Sequence, residues 1–261
     1  MSEITRIILN GYLGRMGTAI IELADSDAGC EIVAGVDVKQ GIVSYPFPTY
    51  LNISECDMPA DVIVDFTIAD AVPATLEYSV RKEIPIVICT TGLSEECVND
   101  LKEISTKTAI FYSGNMSIGI NLLENIISRV AGMLNEAGFD IEIIEKHHSQ
   151  KLDAPSGTAL MLANAANFAL NDEMQIVSDR TQRREKRSPK EIGIHSIRGG
   201  TIVGEHQVIF AGKDEIIEMS HTIHSRSVFA VGAMKAAKFM KGKPPGMYDM
   251  GDIFSDSMNE L

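Results

Sequence analysis

The sequence has no apolar run that approaches the roughly 18 residues needed to cross a membrane. It also lacks the charged start, apolar stretch and cleavage site that are typical of a secretory signal peptide. Its cysteines, Cys30, Cys56, Cys89 and Cys97, form no Cys-x-x-Cys pair, which favours structural free thiols in a reducing compartment. We therefore expect a cytoplasmic protein that does not associate with a membrane.

Positive charge is scarce as well. The chain has 23 Lys and Arg residues against 36 Asp and Glu residues, for a net charge of −13. Such an acidic chain is a poor match for nucleic acid, and we expect no nucleic-acid partner. One basic run lies between Arg180 and Lys190, and runs of this kind are usually solvated loops.

Metal and hydrolase signatures are absent too. All six histidines fall between residues 147 and 224, but they do not follow the His-x-x-x-His or Cys/His spacing of zinc sites. Ser156 does not lie in the Gly-x-Ser-x-Gly turn that carries the nucleophile of many hydrolases. The sequence therefore predicts no metal site and disfavours a serine hydrolase.

The first positive signal is a glycine turn between a strand and a helix. Thr5 to Asn10 has the pattern of a buried strand, Gly11-Tyr-Leu-Gly14-Arg-Met-Gly17 follows it, and an amphipathic helix is predicted to end near Ser26. A dinucleotide pyrophosphate binds at such a turn, close to the helix N-terminus. Tyr12 occupies a usual glycine position, and we expect its side chain beside the pyrophosphate. A glycine-rich loop without a ligand remains the alternative.

An acidic residue favours the nucleotide interpretation. The second predicted strand, Glu31 to Val36, ends at Asp37, which lies 20 positions beyond Gly17 and can accept hydrogen bonds from the adenosine ribose. Further strands alternate with helices, which predicts a parallel sheet with ligands at the carboxyl ends of its strands. Small-residue clusters at 11–17, 90–92 and 113–116 lie at such ends. The first domain is therefore predicted to be an α/β, Rossmann-type domain.

The pattern changes after residue 116. A predicted helix and a strand at 139–144 precede three strands that alternate apolar and polar residues, as antiparallel strands do. Arg198-Gly199-Gly200 is predicted to be a hairpin turn, and a late helix, Val228 to Lys241, is predicted without a strand partner. We expect a dinucleotide-binding domain at 1–116 and 227–261. We expect residues 117–226 to form an α+β substrate-binding and oligomerisation domain with a mixed open sheet.

The segment from residue 145 to 159 concentrates groups suited to proton transfer and anion binding. His147 and His148 can exchange protons near neutral pH, and Lys151 adds a positive charge. A helix predicted from Gly157 offers backbone N–H groups that suit a carboxylate. These groups form a plausible site for an acidic small molecule that gains or loses a proton.

A purely structural interpretation of the same segment stays open. Asp153 or Ser156 could cap the predicted helix, with Pro155 in its first turn. Adjacent histidines on a strand point to opposite faces, so that one of the two could be a hydrogen-bonded core residue.

This segment resembles the signature of the 4-hydroxy-tetrahydrodipicolinate reductase family, also called dihydrodipicolinate reductases. The signature reads Glu-x-His-His-x-x-Lys-x-Asp-Ala-Pro-Ser-Gly-Thr-Ala, and every fixed position is matched between Glu145 and Ala159. Segments near Glu191 and Gly204 are similar to the family as well, so the resemblance covers nearly the whole chain. It implies NAD(P)H-dependent reduction of 4-hydroxy-tetrahydrodipicolinate, with loss of water, in the diaminopimelate route to lysine. It also implies a homotetramer joined through the sheet of the substrate domain.

The resemblance further implies roles for individual residues. His147 is expected to be the general acid, and Lys151 to neutralise a substrate carboxylate and assist protonation. The substrate is a small dicarboxylate, expected to be bound by His148, Lys151, Gly157 and Thr158. The positions that match the cofactor-contacting loops of the family are Gly11, Tyr12, Leu13, Gly14, Arg15, Met16, Asp37, Cys89, Thr90, Thr91, Ser113, Gly114, Asn115 and Met116.

The choice of cofactor depends on the residues after the second strand. The Asp37 carboxylate can bind both ribose hydroxyls and would repel a 2′-phosphate, whereas Lys39 could hold such a phosphate. We expect a preference for NADH without exclusion of NADPH. The competing functions are a non-catalytic nucleotide-sensing module and another NAD(P)-dependent oxidoreductase of a small acidic substrate, and consumption of cofactor with substrate would exclude the sensing module.

Overall fold

The structure is a computed structural model that describes residues 4–39, 42–181 and 183–258. The chain divides into two compact units, one formed by Met1–Ile118 together with Ser227–Leu261 and the other by Gly119–Arg226. None of the helices in the described ranges is both long and apolar enough to span a membrane.

Strands and helices alternate through much of the first unit, whereas four strands follow one another in the second. The strands are β1 (Thr5–Asn10), β2 (Cys30–Val36), β3 (Thr49–Tyr50), β4 (Val62–Asp65), β5 (Ile86–Ile88), β6 (Ala109–Tyr112), β7 (Asp140–His147), β8 (Gln175–Val177), β9 (Glu191–Arg198), β10 (Gly204–Ala211), β11 (Ile216–Ile223) and β12 (Gly246–Tyr248). The helices are α1 (Arg15–Ser26), α2 (Val72–Lys82), α3 (Glu95–Ile104), α4 (Ile118–Glu136), α5 (Gly157–Phe168), α6 (Ser227–Met240) and α7 (Met250–Met258).

The first unit contains a parallel sheet with the strand order β12-β6-β5-β4-β1-β2-β3. Helices cover both faces of this sheet, and consecutive side chains of a strand point to opposite faces. The side chains of the central strands are therefore buried on both faces. Ile7 and Leu9 of β1 belong to the core on the α1, α6 and α7 side. Ile8 belongs to the core on the α2 and α3 side. This arrangement is the predicted Rossmann-type domain, and the prediction is confirmed.

The second unit contains a mixed five-stranded sheet with the order β11-β10-β7-β9-β8. Helices α4 and α5 cover one face, where Ile141 and Ile143 of β7 meet Leu162 of α5. We call the opposite face, which carries Glu142, Ile144 and Lys146 of β7, the outer face. The predicted α+β domain with a mixed open sheet is likewise confirmed.

The hairpin predicted at Arg198-Gly199-Gly200 is wrong. Strands β9 and β10 both pair with β7, β9 in parallel and β10 antiparallel, so β7 lies between them. The glycines mark a crossing from one side of β7 to the other, because a turn signal in the sequence does not specify which strand will pair with which.

The late helix does lead to a strand. After α6 the chain forms β12, which pairs in parallel with β6 at the edge of the first sheet. Strands β3 and β8, which are two and three residues long, were not predicted. Segments this short cannot show the alternation on which strand prediction depends.

Candidate active site

A cleft of about 390 Å³ opens in the first unit at the carboxyl ends of β1, β2 and β4. Strand order reverses between β1 and β4, and open α/β sheets bind ligands at such a switch point. The cleft is lined by Gly11 and Gly14 after β1, Asp37 after β2, and Phe66 and Thr67 after β4. Its volume is within the range of small-molecule sites.

The glycine turn after β1 is shaped by close backbone approach. Gly11 has a φ of 86°, and a Cβ atom there would lie 2.7 Å from the carbonyl oxygen of Phe66. A Cβ atom at Gly17 would lie 2.3 Å from the carbonyl oxygen of Gly11. The first glycine therefore permits the tight turn, and the last allows α1 to pack against it.

Helix α1 begins at this turn and faces the cleft with its N-terminus. Gly14 is its N-cap, and it supplies no side-chain hydrogen bond to the first N–H groups of the helix. Arg15 and Met16 are the first two helical residues. Uncapped N–H groups and the helix dipole suit an anion such as a pyrophosphate, so the turn fits a dinucleotide.

The expected position of the Tyr12 side chain is wrong. Its ring is 1% exposed and lies in the core, with its centroid 5.2 Å from that of Tyr45 and 6.3 Å from that of Phe47. A Cβ atom at Gly35 would lie 2.9 Å from the Tyr12 ring, so β2 provides room for it through a glycine. Only the backbone of Tyr12 faces the turn, and its side chain cannot crowd a pyrophosphate.

Asp37 lines the cleft and is held by backbone N–H groups. One carboxylate oxygen accepts a hydrogen bond from Leu13 N at 3.3 Å, and the other accepts one from Lys39 N at 3.3 Å. The next residue, Val38, is 83% exposed. The two hydrogen bonds orient the Asp37 carboxylate at the end of β2, the position at which this fold contacts an adenosine ribose.

A buried carboxylate that was not predicted from the sequence lies beside the cleft. Asp65, at the end of β4, is fully buried and accepts hydrogen bonds from Asn10 Nδ2 at 3.1 Å, Thr67 Oγ1 at 2.7 Å and Thr90 Oγ1 at 2.9 Å. Asn10 also donates to Thr75 Oγ1 at 2.9 Å. These hydrogen bonds connect the carboxyl ends of neighbouring strands. In the sequence, the only indication of them was an aspartate at the end of an apolar strand.

The remaining loops proposed for the cofactor follow β5 and β6. Cys89 donates its backbone N–H to Asp65 O at 2.9 Å, and the hydroxyl of Thr90 is used by the buried network, while Thr91 is exposed. Ser113 donates its hydroxyl to Asn115 O at 3.0 Å, with Gly114 between them. These residues lie at carboxyl ends of the same sheet, but they do not line the cleft at the switch point.

Met116 ends the second of these loops, and its side chain is buried in the core. A Cβ atom at Gly232 of α6 would lie 1.7 Å from the carbonyl oxygen of Met116, so this glycine is what permits the close approach of the helix. The structure therefore leaves backbone atoms of Met116, and little of its side chain, for a ligand.

The second unit holds a buried group of charged and titratable side chains at the end of β7. Glu145 and His147 are two residues apart on β7 and share its covered face, and His147 Nδ1 lies 2.5 Å from Glu145 Oε2. Arg198 of β9 donates to both oxygens of Glu145, at 2.8 and 2.7 Å. Burial favours a raised pKa for the Glu145 carboxyl, but hydrogen bonds from Arg198, with lesser ones from Ser196 and His147, lower this pKa to about 2.

The start of α5 joins this group. Ser156 is the N-cap, and its hydroxyl accepts a hydrogen bond from Ala159 N at 3.2 Å. Its own N–H donates to Glu145 Oε1 at 3.2 Å. Gly157 and Thr158 are the first helical residues, and a Cβ atom at Gly157 would meet open space. Of the two predicted caps, the structure selects Ser156.

Lys151 and His148 lie in the loop between β7 and α5. Lys151 Nζ is 2.8 Å from Asp153 Oδ1, and the lysine side chain is 22% exposed. His148 follows the last residue of β7 and is half-buried, and its carbonyl accepts a hydrogen bond from Lys151 N at 3.1 Å. The structure thus brings a histidine, a lysine and a helix N-terminus into one connection.

Arg198 and His206 were not recognised as site residues from the sequence. His206 of β10 is buried, its ring centroid is 5.2 Å from that of His147, and its Nε2 is 3.1 Å from Ser156 Oγ. Both residues reach Glu145 and His147 only because β9 and β10 flank β7. The available signal was the alternation of Ile141, Ile143, Glu145 and His147 along one face of a strand.

The basic run near residue 187 is largely tied to carboxylates. Arg187 donates to Glu142 at 2.8 Å and to Asp140 at 2.7 Å, and Arg180 forms an ion pair with Glu191. These contacts give the run a structural role at the sheet. Within the described parts of the chain, no group of three or more His, Cys, Asp or Glu side chains is placed to hold a metal ion.

Comparison with known proteins gives a consistent match. The sequence model of the family described as dihydrodipicolinate reductase, N-terminus, matches residues 5–116. The family model described as dihydrodipicolinate reductase, C-terminus, matches residues 119–254. A 4-hydroxy-tetrahydrodipicolinate reductase of Caldanaerobacter subterraneus subsp. tengcongensis is 48% identical over 248 residues, which cover 95% of this chain and 97% of that protein. One of Clostridium novyi is 49% identical over 249 residues, with 95% and 98% covered.

A solved structure agrees in fold as well. A dipicolinate-bound dihydrodipicolinate reductase from Paenisporosarcina sp. TG-14 has a TM-score of 0.79 to this chain at 25% identity, with 94% of this chain and 97% of that chain covered. A parallel sheet with a glycine turn at its switch point and a second, mixed-sheet domain define a two-domain NAD(P)H-dependent oxidoreductase. The chain belongs to the dihydrodipicolinate reductase family.

Proposed function

We propose that the protein reduces 4-hydroxy-tetrahydrodipicolinate to tetrahydrodipicolinate, with loss of water, in the diaminopimelate route to lysine. The observation that carries this proposal is the histidine–glutamate pair at the end of β7, beside the N-terminus of α5. The histidine can donate a proton, and the helix N-terminus can bind a carboxylate. The reduction of a cyclic dicarboxylate requires both functions. Family membership supplies the reaction class.

The chemistry divides between the cofactor and the chain. A bound nicotinamide cofactor supplies the hydride. The substrate hydroxyl leaves as water, the resulting conjugated ring accepts the hydride, and the ring carbon that becomes enamine-like accepts a proton. His147 is the proposed proton donor, and one of its ring N–H bonds is the bond that breaks. Burial lowers the pKa of His147 and the Glu145 carboxylate partly opposes this, so an anionic substrate nearby would favour the protonated form.

The substrate carboxylates would be held by Lys151, His148 and the start of α5. Gly157 and Thr158 offer N–H groups at a helix N-terminus, and Thr158 adds a hydroxyl. The dipicolinate-bound relative from Paenisporosarcina supports a planar dicarboxylate as the ligand class. Lys151 would exchange Asp153, its partner at 2.8 Å, for a substrate carboxylate.

The cofactor would lie along the carboxyl ends of the parallel sheet. Its pyrophosphate is assigned to the turn from Gly11 to Met16, where Gly14 supplies no side-chain cap to the N-terminus of α1. Its ribose is assigned to Asp37. The loops at 89–91 and 113–116 follow the next strands along the same sheet and would contact the nicotinamide half.

One assay tests the activity. Mixing the protein with NADH and the product of aspartate-semialdehyde–pyruvate condensation should give a fall in nicotinamide absorbance that depends on both components. Cofactor binding without consumption would instead indicate a nucleotide-sensing module. Consumption only with a different acidic carbonyl or imine compound would indicate another oxidoreductase.

The cofactor preference is a separate prediction. We expect kcat/KM to be higher with NADH than with NADPH at one ionic strength, because Asp37 is fixed at the ribose position by two backbone N–H groups and would repel a 2′-phosphate. Asp37→Asn should bring the kcat/KM values for NADH and NADPH closer together. We expect the preference to be limited, because a tenfold ratio corresponds to only about 1.4 kcal/mol and Lys39 could attract the 2′-phosphate of NADPH. An NADPH advantage of tenfold or more would show that a basic side chain controls this pocket. Gln40 and Gly41, which follow, lie outside the described residues.

We further propose a homotetramer assembled through the outer face of the five-stranded sheet. This face carries Ile197 and Ile216, which are 47% and 63% exposed, together with the half-buried Ile144 and Ile209. Exposed isoleucines of this kind would be covered by a second subunit, which favours association through this face. Light scattering should give four times the chain mass of 28.4 kDa, and Ile197→Lys should lower that mass. A monomer at micromolar concentration would contradict the proposal.

The two units would then divide the work, with residues 1–116 and 227–261 binding the dinucleotide and residues 117–226 binding the substrate and the other subunits. We assign the protein to the cytoplasm, because its cysteines are free thiols, with Cys30 and Cys56 buried and Cys89 and Cys97 half-buried. Fractionation of cells that produce the native chain would test this compartment.

A further inference from the structure

The carboxylate beside His147 is unusually well fixed. Glu145 is 0% exposed, and both of its oxygens accept hydrogen bonds from Arg198, at 2.8 and 2.7 Å. A buried carboxylate is tolerated when it is paired and hydrogen-bonded, and the planar guanidinium provides two parallel bonds. Arg198 is itself anchored through a bond to Asp153 O at 2.7 Å. The anion therefore has one orientation.

This orientation determines which nitrogen of His147 can react. Nδ1 lies 2.5 Å from Glu145 Oε2, so the N–H at Nδ1 points to the carboxylate. Nε2 has no hydrogen-bond partner among the described residues, and it packs close to Gly204, where a Cβ atom would lie 3.3 Å from it. The side chain keeps 11% of its surface exposed. Nε2 is thus the nitrogen available to a substrate.

Charged and titratable groups from three other elements also face His147. Arg198 of β9 and Lys151 of the following loop both disfavour its protonated form. His206 of β10 packs its ring against that of His147 with an interplanar angle of 72°. Burial, with a smaller effect of His147, lowers the pKa of His206 to about 4, so this neighbour is neutral at pH 7. Glu145, on the same strand as His147, is the neighbour that favours the protonated form of His147.

We propose that Glu145 and Arg198 are positioning residues for the proton donor: Arg198 holds the carboxylate, and the carboxylate holds His147 with its Nδ1–H turned inward, so that Nε2 is the reacting nitrogen. In the transfer, the Nε2–H bond breaks, its electron pair stays on Nε2, and a C–H bond forms on the substrate ring. The imidazole returns to the neutral form with its proton on Nδ1. This inference rests on the proposed function, since it requires that His147 donates the proton.

The same strand carries a matched control. On the outer face, Glu142 Oε2 lies 2.8 Å from His195 Nε2, and Arg187 Nε donates to Glu142 Oε1 at 2.8 Å. This is also an arginine–glutamate–histidine group, three residues earlier on β7 and on the other face. Its histidine side chain is 47% exposed and is not beside the start of α5. Changes to the outer group report the general effect of removing a carboxylate from this strand.

The first test needs no substitution. In protein labelled with ¹⁵N-histidine, NMR above the pKa of His147 should show that nitrogen Nδ1 carries the proton and Nε2 does not. A mixture of tautomers, or a proton on Nε2, would overturn the inference. Because this measurement does not use turnover, it tests the orientation of His147 separately from the proposed reaction.

The second test is the dependence of kcat on pH. A general acid must be protonated, so kcat falls as pH rises through the pKa of His147 in the substrate complex. Glu145→Gln removes the anion that raises this pKa and should move the falling limb about one to three pH units lower. Glu142→Gln, in protein that light scattering shows to have the wild-type mass, should leave this limb in place. An unmoved limb in Glu145→Gln, or an equal shift in both variants, would overturn the inference.

Arg198→Lys covers the case in which Glu145→Gln does not fold. Lysine keeps the charge and loses the two-point contact, so we expect the falling limb to stay near its wild-type position while kcat drops severalfold. The NMR signal of His147 in this variant should show both tautomers. A variant with wild-type kcat and a single tautomer would show that Arg198 does not position the pair.

Discussion

Replacing His147 with Gln should lower kcat by about 10²–10⁴-fold, the usual contribution of a positioned general acid. The cofactor dissociation constant should hardly change, because His147 belongs to the second unit and the cleft at the switch point belongs to the first. The loss of kcat and kcat/KM together would place the lesion in the proton-transfer step. Steady-state kinetics and fluorescence titration of NADH measure the two quantities.

The matched control for this variant is His195→Gln. His195 is paired with Glu142 at 2.8 Å, as His147 is with Glu145, but it lies on the outer face of the sheet. Its kcat should stay within twofold of the wild type, provided that light scattering gives the same mass. A near-normal kcat in His147→Gln would exclude His147 as the acid, and a large loss in His195→Gln would show that any change at this sheet impairs turnover.

Replacing Lys151 with Ala should weaken inhibition by pyridine-2,6-dicarboxylate. Removing one member of a partly desolvated ion pair costs about 2–5 kcal/mol, and each 1.4 kcal/mol is about tenfold in affinity. We expect a loss in the lower half of this range because the lysine side chain retains 22% exposure. The substitution also leaves Asp153 without its partner and therefore adds a negative charge beside the ligand. Inhibition constants at fixed ionic strength measure the effect.

Lys190→Ala is the matched control for the lysine. Its Nζ lies 2.7 Å from Glu173 Oε2, so it is also a lysine–carboxylate pair of the second unit, but its side chain is 68% exposed. Exposed pairs of this kind contribute little, and the inhibition constant should not change. If Lys151→Ala left the inhibition constant unchanged as well, Lys151 would not face the substrate.

Local sequence signals predicted the parallel sheet and its first turn. Gly17 was predictable because it meets backbone atoms of Gly11 and Tyr12 within the same strand–turn–helix unit, whereas the contact of Gly11 with Phe66 comes from the loop after β4. The segment from Glu145 to Ala159 was predicted to connect a strand to a helix with Asp153 or Ser156 as the cap, and the structure has Ser156 in that position. The roles of these residues stay predictions until the variants are measured.

Longer-range pairing could not be predicted in the same way. The predicted strand at 139–144 stopped one residue before Glu145, so the shared face of Glu145 and His147 was not apparent. Arg198 and His206 reach them from strands on either side of β7, and that order depends on tertiary packing. The same limit explains the false hairpin after Arg198 and the inward turn of Tyr12, whose space is created by Gly35 on another strand.

The return of the chain through α6 and β12 has a consequence during synthesis. The core on one side of the first sheet includes Ala233, Ala237 and Met240, which come from the segment after residue 226. Before this segment has left the ribosome, the first sheet has only α1 on that side and lacks α6 and α7. The second unit, by contrast, is a single uninterrupted stretch, Gly119–Arg226, and contains its whole core. The first unit therefore begins to leave the ribosome before the second unit does. It can complete its fold only after the second unit has been synthesised, because it needs residues beyond 226.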